Sequence, residues 1–283
     1  MTSADHGEWQ PPSVVLQKRD GLWTPRAVSV VSYPEEGNDV CFQVEDGSYW
    51  FAHRNECILA AINRFPFSGT FYDIGGGNGF VDLGLQNAGL EVVLIEPGNG
   101  ARNAVKRGVK NVIRAALGDA LIRPHSLDAA GAFDVVEHIK DDVGFLTSIR
   151  QLLQPGGRFF CTVPATHALW SDEDIHAGHY RRYSGSSLSE TMRQAGFQVE
   201  FVTRFFAWLT LPVLLLRALP YRIRGCRAAL RGRVEDVKAD HRLPGSIAGV
   251  VRLFHAGELT HLRRANRIRF GTSLLCVARA PVP

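Results

Sequence analysis

Long hydrophobic runs, basic leader segments and cysteine are scarce in this chain of 283 residues. No apolar run reaches the roughly 18 residues that a membrane span needs. The N-terminus has no basic region followed by an apolar stretch, so a secretory signal is not expected. The five cysteines are odd in number and widely spaced, which argues against a disulfide framework and favours a reducing compartment. With 45% hydrophobic and 21% charged residues, the composition predicts a soluble, cytoplasmic, globular protein.

Positive charge is concentrated in one region. The net charge is only +4, but residues 205–270 contain 13 Lys and Arg against 4 Asp and Glu. Within it, the largely apolar Phe205–Leu219 precedes Tyr221–Arg233, which has five arginines. An apolar segment too short to span a bilayer, beside a basic one, predicts a substrate cap, a peripheral contact with the inner membrane surface, or an oligomer contact. Nucleic acid is not expected as a partner, because Arg222–Arg233 contains no aromatic residue.

Strand-like and helix-like segments alternate through the middle of the chain. This alternation predicts an α/β fold, with a doubly wound, Rossmann-like, seven-stranded, mostly parallel sheet and helices on both faces. The expected helices lie at 54–65, 79–88, 99–107 and 141–153. The expected strands of the sheet lie at 70–74, 91–95, 111–114, 126–131, 158–163, 198–203 and 272–278.

The N-terminal part of the chain is predicted to be β-rich. Two short β-prone segments, Ala27–Val31 and Val40–Val44, flank a predicted turn at Gly37–Asp39. The amphipathic helix at 54–65 follows them. We therefore expect an N-terminal extension over residues 1–66 that contains a β-hairpin and a lid helix.

A glycine-rich turn follows the first strand of the alternation. Phe71–Phe80 runs from an apolar strand into glycines at positions 75, 76, 77 and 79 and then into a helix. Glycine lets a backbone approach a ligand closely, and the helix N-terminus behind it presents free N–H groups. The turn therefore predicts a nucleotide-like ligand. A nicotinamide-dependent oxidoreductase is the weaker interpretation, because Phe80 interrupts the G-x-G-x-x-G fingerprint and Asp73 disfavours a pyrophosphate.

Acidic residues follow the next two strands. Glu96 ends the strand Val92–Ile95, where a bidentate acceptor suits the two hydroxyls of a ribose. Asp119 follows the third strand and can accept a hydrogen bond from an adenine amino group. Each acid alone could be a solvated loop carboxylate, but together with Asp73 they favour a ligand that carries ribose and adenine.

Asp73–Gly79 resembles the D-x-G-x-G-x-G motif of class I S-adenosylmethionine-dependent methyltransferases, with Gly76 where that family usually has cysteine or serine. Leu152–Arg158 is similar to the L-L-x-P-G-G-R turn that leads into the family's fifth strand, and Ser126–Ile139 to its fourth strand and following loop. A narrower similarity, to the methyltransferase 11 group with ubiquinone-biosynthesis-type relatives, rests on Trp50–Asn55, Asp134–Ile139, Thr162–Ala165, Leu169–Ser171, Gly178–Tyr183 and Gly271–Leu275.

The resemblance implies an enzyme that transfers a methyl group from S-adenosylmethionine to an O or N nucleophile of a small-molecule acceptor, either hydrophobic and lipid-like or anionic. It implies a catalytic core over residues 67–204 plus 270–283 and a helical insertion over 205–269, between strands six and seven. The cofactor-binding residues that it implies are Asp73, Gly75, Gly76, Gly77, Asn78, Glu96, Pro97, Gly118, Asp119, Ala120, Phe133 and Asp134.

Two histidines are candidates for a general base, which methyl transfer needs only if the nucleophile must lose a proton. His138 follows the fourth strand and titrates near neutrality in its unperturbed state; its alternative role is to orient that loop. His179 lies in the loop after the fifth strand, for which an internally salt-bridged loop is the alternative. The candidates for substrate contact are Trp50, Arg54, Trp170, Arg181, Arg182 and Tyr183.

No metal site is predicted. Cys41, His53 and Cys57 lack the spacing of a paired-cysteine site and a fourth ligand, and the pair Glu137–His138 supplies only two ligands. A second class of function also stays open on the sequence alone: a non-catalytic scaffold that binds S-adenosylmethionine and docks a partner or membrane through residues 205–269. Such a scaffold would bind the cofactor without turnover.

Overall fold

One mixed sheet of nine strands forms the centre of the protein. The computed structural model describes residues 9–26, 35–224 and 245–282. Within them, the strands are β1 (Gln17–Arg19), β2 (Leu22–Thr24), β3 (Phe71–Ile74), β4 (Val92–Ile95), β5 (Asn111–Ile113), β6 (Leu127–Phe133), β7 (Leu153–Pro164), β8 (Gln198–Phe205) and β9 (Ser273–Arg279).

Strands β3 to β9 are the seven strands that the sequence predicts. The order across the sheet is β1-β2-β5-β4-β3-β6-β7-β9-β8. Neighbours from β2 to β7 are parallel, and β9 lies antiparallel between β7 and β8. Because the chain winds outward from β3 in both directions, a crevice for a ligand is expected at the carboxyl ends of β3 and its neighbours.

Helices cover both faces of the sheet, as predicted. Phe71 and Tyr72 are neighbours on β3 and point to opposite faces, where each joins a separate hydrophobic cluster. None of the described helices is both long and apolar enough to cross a bilayer. The helices are α1 (Glu35–Val44), α2 (Tyr49–Arg64), α3 (Phe80–Asn87), α4 (Gly100–Arg107), α5 (Asp142–Leu152), α6 (Asp172–Ala177), α7 (Gly185–Gln194), α8 (Thr210–Val213), α9 (Leu219–Arg224) and α10 (Gly245–Arg263).

The N-terminal extension differs from its prediction. The expected strand Val40–Val44 and turn Gly37–Asp39 are wrong, because α1 occupies these positions. Tertiary contacts override the local β propensity: the backbone carbonyl of Asn38 accepts a hydrogen bond from the side chain of Asn78 at 2.8 Å. A hairpin is present earlier in the chain, formed by β1 and β2. The predicted strand Ala27–Val31 lies outside the described residues.

Glu258 on α10 joins the insertion to α2 of the N-terminal extension. Its carboxylate accepts hydrogen bonds from the backbone N–H groups of Phe206 at 2.9 Å and Ala207 at 2.5 Å, and lies 2.8 Å from Nε2 of His53 on α2. Cys57 Sγ lies 3.5 Å from the same nitrogen. Ligand-type atoms of His53, Cys57 and Glu258 lie within 4.8 Å of one another. Both oxygens of Glu258 accept backbone hydrogen bonds, so the carboxylate of this Glu258 cluster acts as a hydrogen-bonded anchor.

Candidate active site

A cavity of about 530 Å³ opens at the carboxyl ends of β3, β4 and β6. Its size is that of a small-molecule site, and it lies where the strand order reverses. Nine of the predicted cofactor residues line it, namely Asp73, Gly75, Gly76, Gly77, Asn78, Glu96, Pro97, Phe133 and Asp134.

The glycine-rich turn forms one wall through its backbone. Gly75 and Gly77 have φ angles of +77° and +55°, which favour glycine. A Cβ atom at Gly75 would approach Val135 to 2.8 Å, and one at Gly76 would lie only 3.0 Å from carboxylate oxygens beneath the turn. The absence of side chains therefore lets this backbone form the surface of the cavity.

Glu96 is fixed at the end of β4 by backbone donors. One carboxylate oxygen accepts from the N–H of Gly77 at 3.1 Å and the other from Gly98 at 2.8 Å. Burial raises the pKa of Glu96, while these two hydrogen bonds oppose the shift. Each oxygen keeps a further lone pair, so the orientation suits a ligand with two adjacent hydroxyls.

The predicted adenine-contact residues directly follow, along the chain, the residues of the same loop that line the cavity. Residues 115–117 line the cavity, whereas Gly118, Asp119 and Ala120 do not. The backbone N–H of Asp119 instead donates to the carbonyl of Ala116 at 3.0 Å in a turn. The apolar surface of residues 115–117 is thus the part of this loop that can meet a planar base.

Asp73 presents a buried carboxyl group to the cavity. The residue is 1% exposed, and no donor of the described residues meets its oxygens in hydrogen-bond geometry. Asp82 on α3, equally buried, is in side-chain contact with it. Burial raises the pKa of Asp73 to about 7, against the lowering influence of Asp82 and Arg54. The pKa of Asp82 lies well above its ordinary value for the same reason and because of repulsion by Asp73.

Arg54 brings a cation to the rim of the cavity. Its Nη1 donates to Oδ2 of Asp134 at 2.5 Å, and its guanidinium lies 5.1 and 5.2 Å from the ring centres of Trp50 and Phe51. The predicted contact residue Trp50 does not itself line the cavity. It supports Arg54 and stacks on Phe206 instead.

His138 lines the cavity and His179 lies behind it. Their ring centres are 4.8 Å apart, and Nδ1 of His179 lies 2.8 Å from Oδ1 of Asp174. Burial, followed by His179, lowers the pKa of His138 to about 4, so its ring is neutral at neutral pH. Glu137 is buried beside them, and one ligand-type atom from each of Glu137, His138 and His179 lies within 4.8 Å of the others. Carboxylate and imidazole can hold a divalent ion, although the sequence predicts none.

The other predicted substrate contacts stabilise the loop after β7. Arg181 pairs with Asp142 at 2.6 Å, and Arg182 pairs with Asp174 at 2.7 Å. The hydroxyl of Tyr183 donates to Asp142 at 2.7 Å. None of these three predicted residues, nor Trp170, lines the cavity. These contacts are of the kind expected for an internally salt-bridged loop, which is the alternative prediction for this segment.

Sequence reasoning missed several cavity residues. They come from α1, whose residues were predicted as a turn and a strand, from the turn that follows α1, and from an apolar position on α5 that carries no motif. No local signal identifies them, because they reach the site only through packing. They are Asn38, Cys41, Glu45 and Phe145, whereas Phe51 and Tyr180, which also line the cavity, belong to the segments Trp50–Asn55 and Gly178–Tyr183 that carry the resemblance.

Comparison with known proteins identifies the family to which this chain is similar. Residues 50–201, more than half of the chain, match the model of a family described as a methyltransferase domain. A Mycolicibacterium smegmatis protein named "Probable S-adenosylmethionine-dependent methyltransferase" is 26% identical over 54% of this chain and 61% of its own length. A ubiquinone biosynthesis O-methyltransferase of Dinoroseobacter shibae is 33% identical over 47% and 62%. The matches thus span about six tenths of these relatives.

Solved structures share the fold. Phosphoethanolamine N-methyltransferase 2 of Haemonchus contortus, in complex with S-adenosyl-L-methionine, superposes with a TM-score of 0.56 at 16% identity, over 92% of this chain and 62% of that one. The [4+2]-cyclase SpnF gives 0.55 at 15% identity, over 91% and 99%. These likenesses concern the fold alone, whereas the family match extends over the glycine-rich turn, Glu96 and the cavity wall. The chain belongs to the methyltransferase-domain family.

Proposed function

We propose that this protein transfers a methyl group from S-adenosylmethionine to an O or N nucleophile of a small, hydrophobic or anionic acceptor. The observation that carries the proposal is the cavity itself: a glycine backbone wall, an oriented Glu96 and a buried Asp73 meet at the carboxyl ends of β3 and β4. The family match and the names of the relatives support the reaction class.

The residues present fit this cofactor. Glu96 offers two acceptor oxygens for the ribose hydroxyls, and residues 115–117 offer an apolar surface for the adenine. Asp73 has no donor in hydrogen-bond geometry within the described residues, which suits a ligand with a cationic group. The cofactor supplies a methyl group activated as a sulfonium, so the protein's main task is to position the acceptor.

The chain's own residues can also move a proton. His138 lines the cavity and is neutral at neutral pH, but a pKa of about 4 makes its ring a weak base, so it suits a nucleophile whose proton becomes acidic as the methyl group is transferred. His179, oriented by Asp174, acts as a positioning residue for His138. Arg54 lies at the same cavity, where it can attract an anionic acceptor, although Asp134 already partly neutralises it.

The test is methyl transfer itself. Purified protein is incubated with methyl-labelled S-adenosylmethionine and an extract of its host, and label is followed in lipid, small polar and macromolecular fractions. We expect label in the lipid or small polar fraction, lost in Glu96→Ala. Tight cofactor binding with no label in any fraction of extracts from several growth conditions would contradict the proposal and favour the non-catalytic scaffold. The likeness to a cyclase makes this test necessary, since one fold supports several chemistries.

We further propose that the insertion docks the protein on an anionic lipid surface. Among the described residues, eight of the thirteen exposed large hydrophobic side chains lie between positions 211 and 270. On α10, Val251, Glu258 and Leu262 are buried, whereas Leu253 is 74% and Phe254 52% exposed. This helix therefore has an apolar stripe on its outer face as well as on its inner one.

Charge favours a lipid as the occupant of this surface. The described part of the insertion, 205–224 and 245–270, contains eight arginines, and its single acidic residue is the buried Glu258. Apolar side chains beside arginines suit the boundary between acyl chains and anionic headgroups. None of the described insertion residues lines the cavity, which weighs against the substrate-cap alternative.

Co-sedimentation with vesicles tests this docking. We expect binding to phosphatidylcholine vesicles that contain phosphatidylglycerol, weaker binding to pure phosphatidylcholine, and a loss of at least about tenfold in L253S/F254S. Val14→Ser, at an apolar position that is more exposed still and lies far from the insertion in sequence, is the control. Absence of vesicle binding would contradict the proposal. A dimer in light scattering that dissociates in L253S/F254S would instead identify this surface as a subunit interface.

A further inference from the structure

Two carboxyl groups are buried together beneath the glycine-rich turn. A Cβ atom placed at Gly76 would lie 3.0 Å from Oδ2 of Asp73 and also 3.0 Å from Oδ2 of Asp82. Both residues are at most 1% exposed, and none of their four oxygens meets an N–H or hydroxyl donor of the described residues in hydrogen-bond geometry. The two side chains are in hydrogen-bond contact with each other. Two carboxylates cannot form such a bond unless one of them carries a proton.

The surrounding charges decide which residue holds the proton. Asp73 faces the guanidinium of Arg54 and lines the cavity, and the carboxylate of Glu96 faces it from β4. Asp82 faces the carboxylates of Asp73 and Glu96. The cation therefore stabilises a negative charge on Asp73, and the proton is more stable on Asp82.

We infer that Asp82 is a positioning residue: it keeps one proton in its hydrogen bond to Asp73, so that Asp73 meets the cofactor as an oriented carboxylate. The inference rests on the proposed function and adds to it a dependence of cofactor affinity on pH. When the pH falls, Asp73 takes up a second proton and becomes neutral. A ligand with an ammonium or sulfonium group then loses its partner, and its affinity falls.

Cofactor binding as a function of pH tests the inference. Isothermal titration calorimetry with S-adenosylhomocysteine and S-adenosylmethionine is carried out from about pH 5.5 to 8.5. In the wild type, we expect Kd to rise towards about tenfold per pH unit below neutrality. Asp82→Asn donates the same hydrogen bond from its amide and is expected to keep the wild-type profile, whereas Asp82→Leu has no donor, so Asp73 takes up a proton at higher pH and Kd rises already at neutral pH. Asp20→Asn, on the exposed β1–β2 turn, is the matched control and keeps the wild-type profile.

Two further measurements keep the inference testable if Asp82→Leu does not fold or does not bind. Calorimetry of the wild type near pH 6.5, in buffers of different ionisation enthalpy, is expected to detect proton release when the cofactor binds. Infrared difference spectra between the ligand-free wild type and Asp82→Asn at about pH 8 are expected to show one protonated carboxyl band lost. A pH profile unchanged by Asp82→Leu, no proton release, or no lost band would overturn the role of Asp82. A wild type that binds no cofactor at any pH but shows the band would overturn the proposed function alone.

Discussion

At the scale of single residues, the side chains at the cavity are held in place by the protein before a ligand binds. Glu96 is oriented by two backbone N–H groups, and Arg54 by Asp134 and two aromatic rings. Such preorganisation lowers the entropy that binding must oppose. The strength of the site therefore depends on a small number of contacts that substitution can remove one at a time.

Glu96 gives the sharpest prediction at this scale. Glu96→Ala removes the proposed acceptor of both ribose hydroxyls, and we expect Kd for S-adenosylhomocysteine to rise about 10- to 100-fold, since a hydrogen bond to a charged group contributes about 1.5–3 kcal/mol. Calorimetry measures Kd, and circular dichroism checks that the fold is retained. Glu91→Ala, at an exposed position before β4, is the control. An affinity equal to the wild type would exclude Glu96 as the ribose partner.

The residues that sequence could identify are those that follow a strand. Glu96 and Asp73 were predicted because a parallel strand of a doubly wound sheet delivers its carboxyl end to the crevice. The same argument places Asp119 less accurately. The strand β5 ends at Ile113, and residues 115–117, which come before Asp119, line the cavity. Cys41 carries no signal of this kind, because its position in the cavity depends on how a separate helix packs.

At the scale of elements, the alternation of strands and helices predicted β3 to β9 within a few residues, because each core strand is a buried apolar run between polar turns. The same reasoning gave a wrong prediction for the N-terminal segment. The β-prone sequence of α1 folds as a helix that packs against α4, and its Asn38 meets Asn78 of the glycine-rich turn. Here the tertiary contact, rather than local propensity, decides the structure.

The Glu258 cluster gives a prediction about the insertion. Glu258→Ala leaves two backbone N–H groups and His53 without their acceptor in a buried position, so we expect the free energy of unfolding to fall by about 2–4 kcal/mol. Urea denaturation measures it. Glu56→Ala removes an exposed carboxylate on the same helix as His53 and is expected to change stability by less than about 0.5 kcal/mol. Equal effects of both substitutions would contradict the anchoring role of Glu258.

At the scale of the whole molecule, the cavity is shared between two parts of the chain that are distant in sequence. The core supplies the glycine-rich turn and the strand ends, and the N-terminal extension supplies Asn38 and Cys41 from α1 and Glu45 from the turn that follows it. A ligand in this cavity would contact both parts. Binding is therefore expected to stabilise the position of α1 on the core as well as fill the crevice.

The reactivity of Cys41 can show whether ligand binding stabilises the position of α1 on the core. It is partly exposed at the cavity, whereas the other described cysteines are buried. Burial, followed by repulsion from Glu45, raises the pKa of its thiol to about 11, so alkylation by N-ethylmaleimide is expected to be slow at neutral pH and to accelerate as the pH rises. Saturating S-adenosylhomocysteine is expected to slow it at least about tenfold, because the ligand and α1 together cover the thiol. Peptide mass spectrometry measures the rate at Cys41, with Cys41→Ser confirming the assigned peptide. Equal rates with and without the ligand would show that α1 does not close over the bound cofactor, and would place the ligand against the core alone.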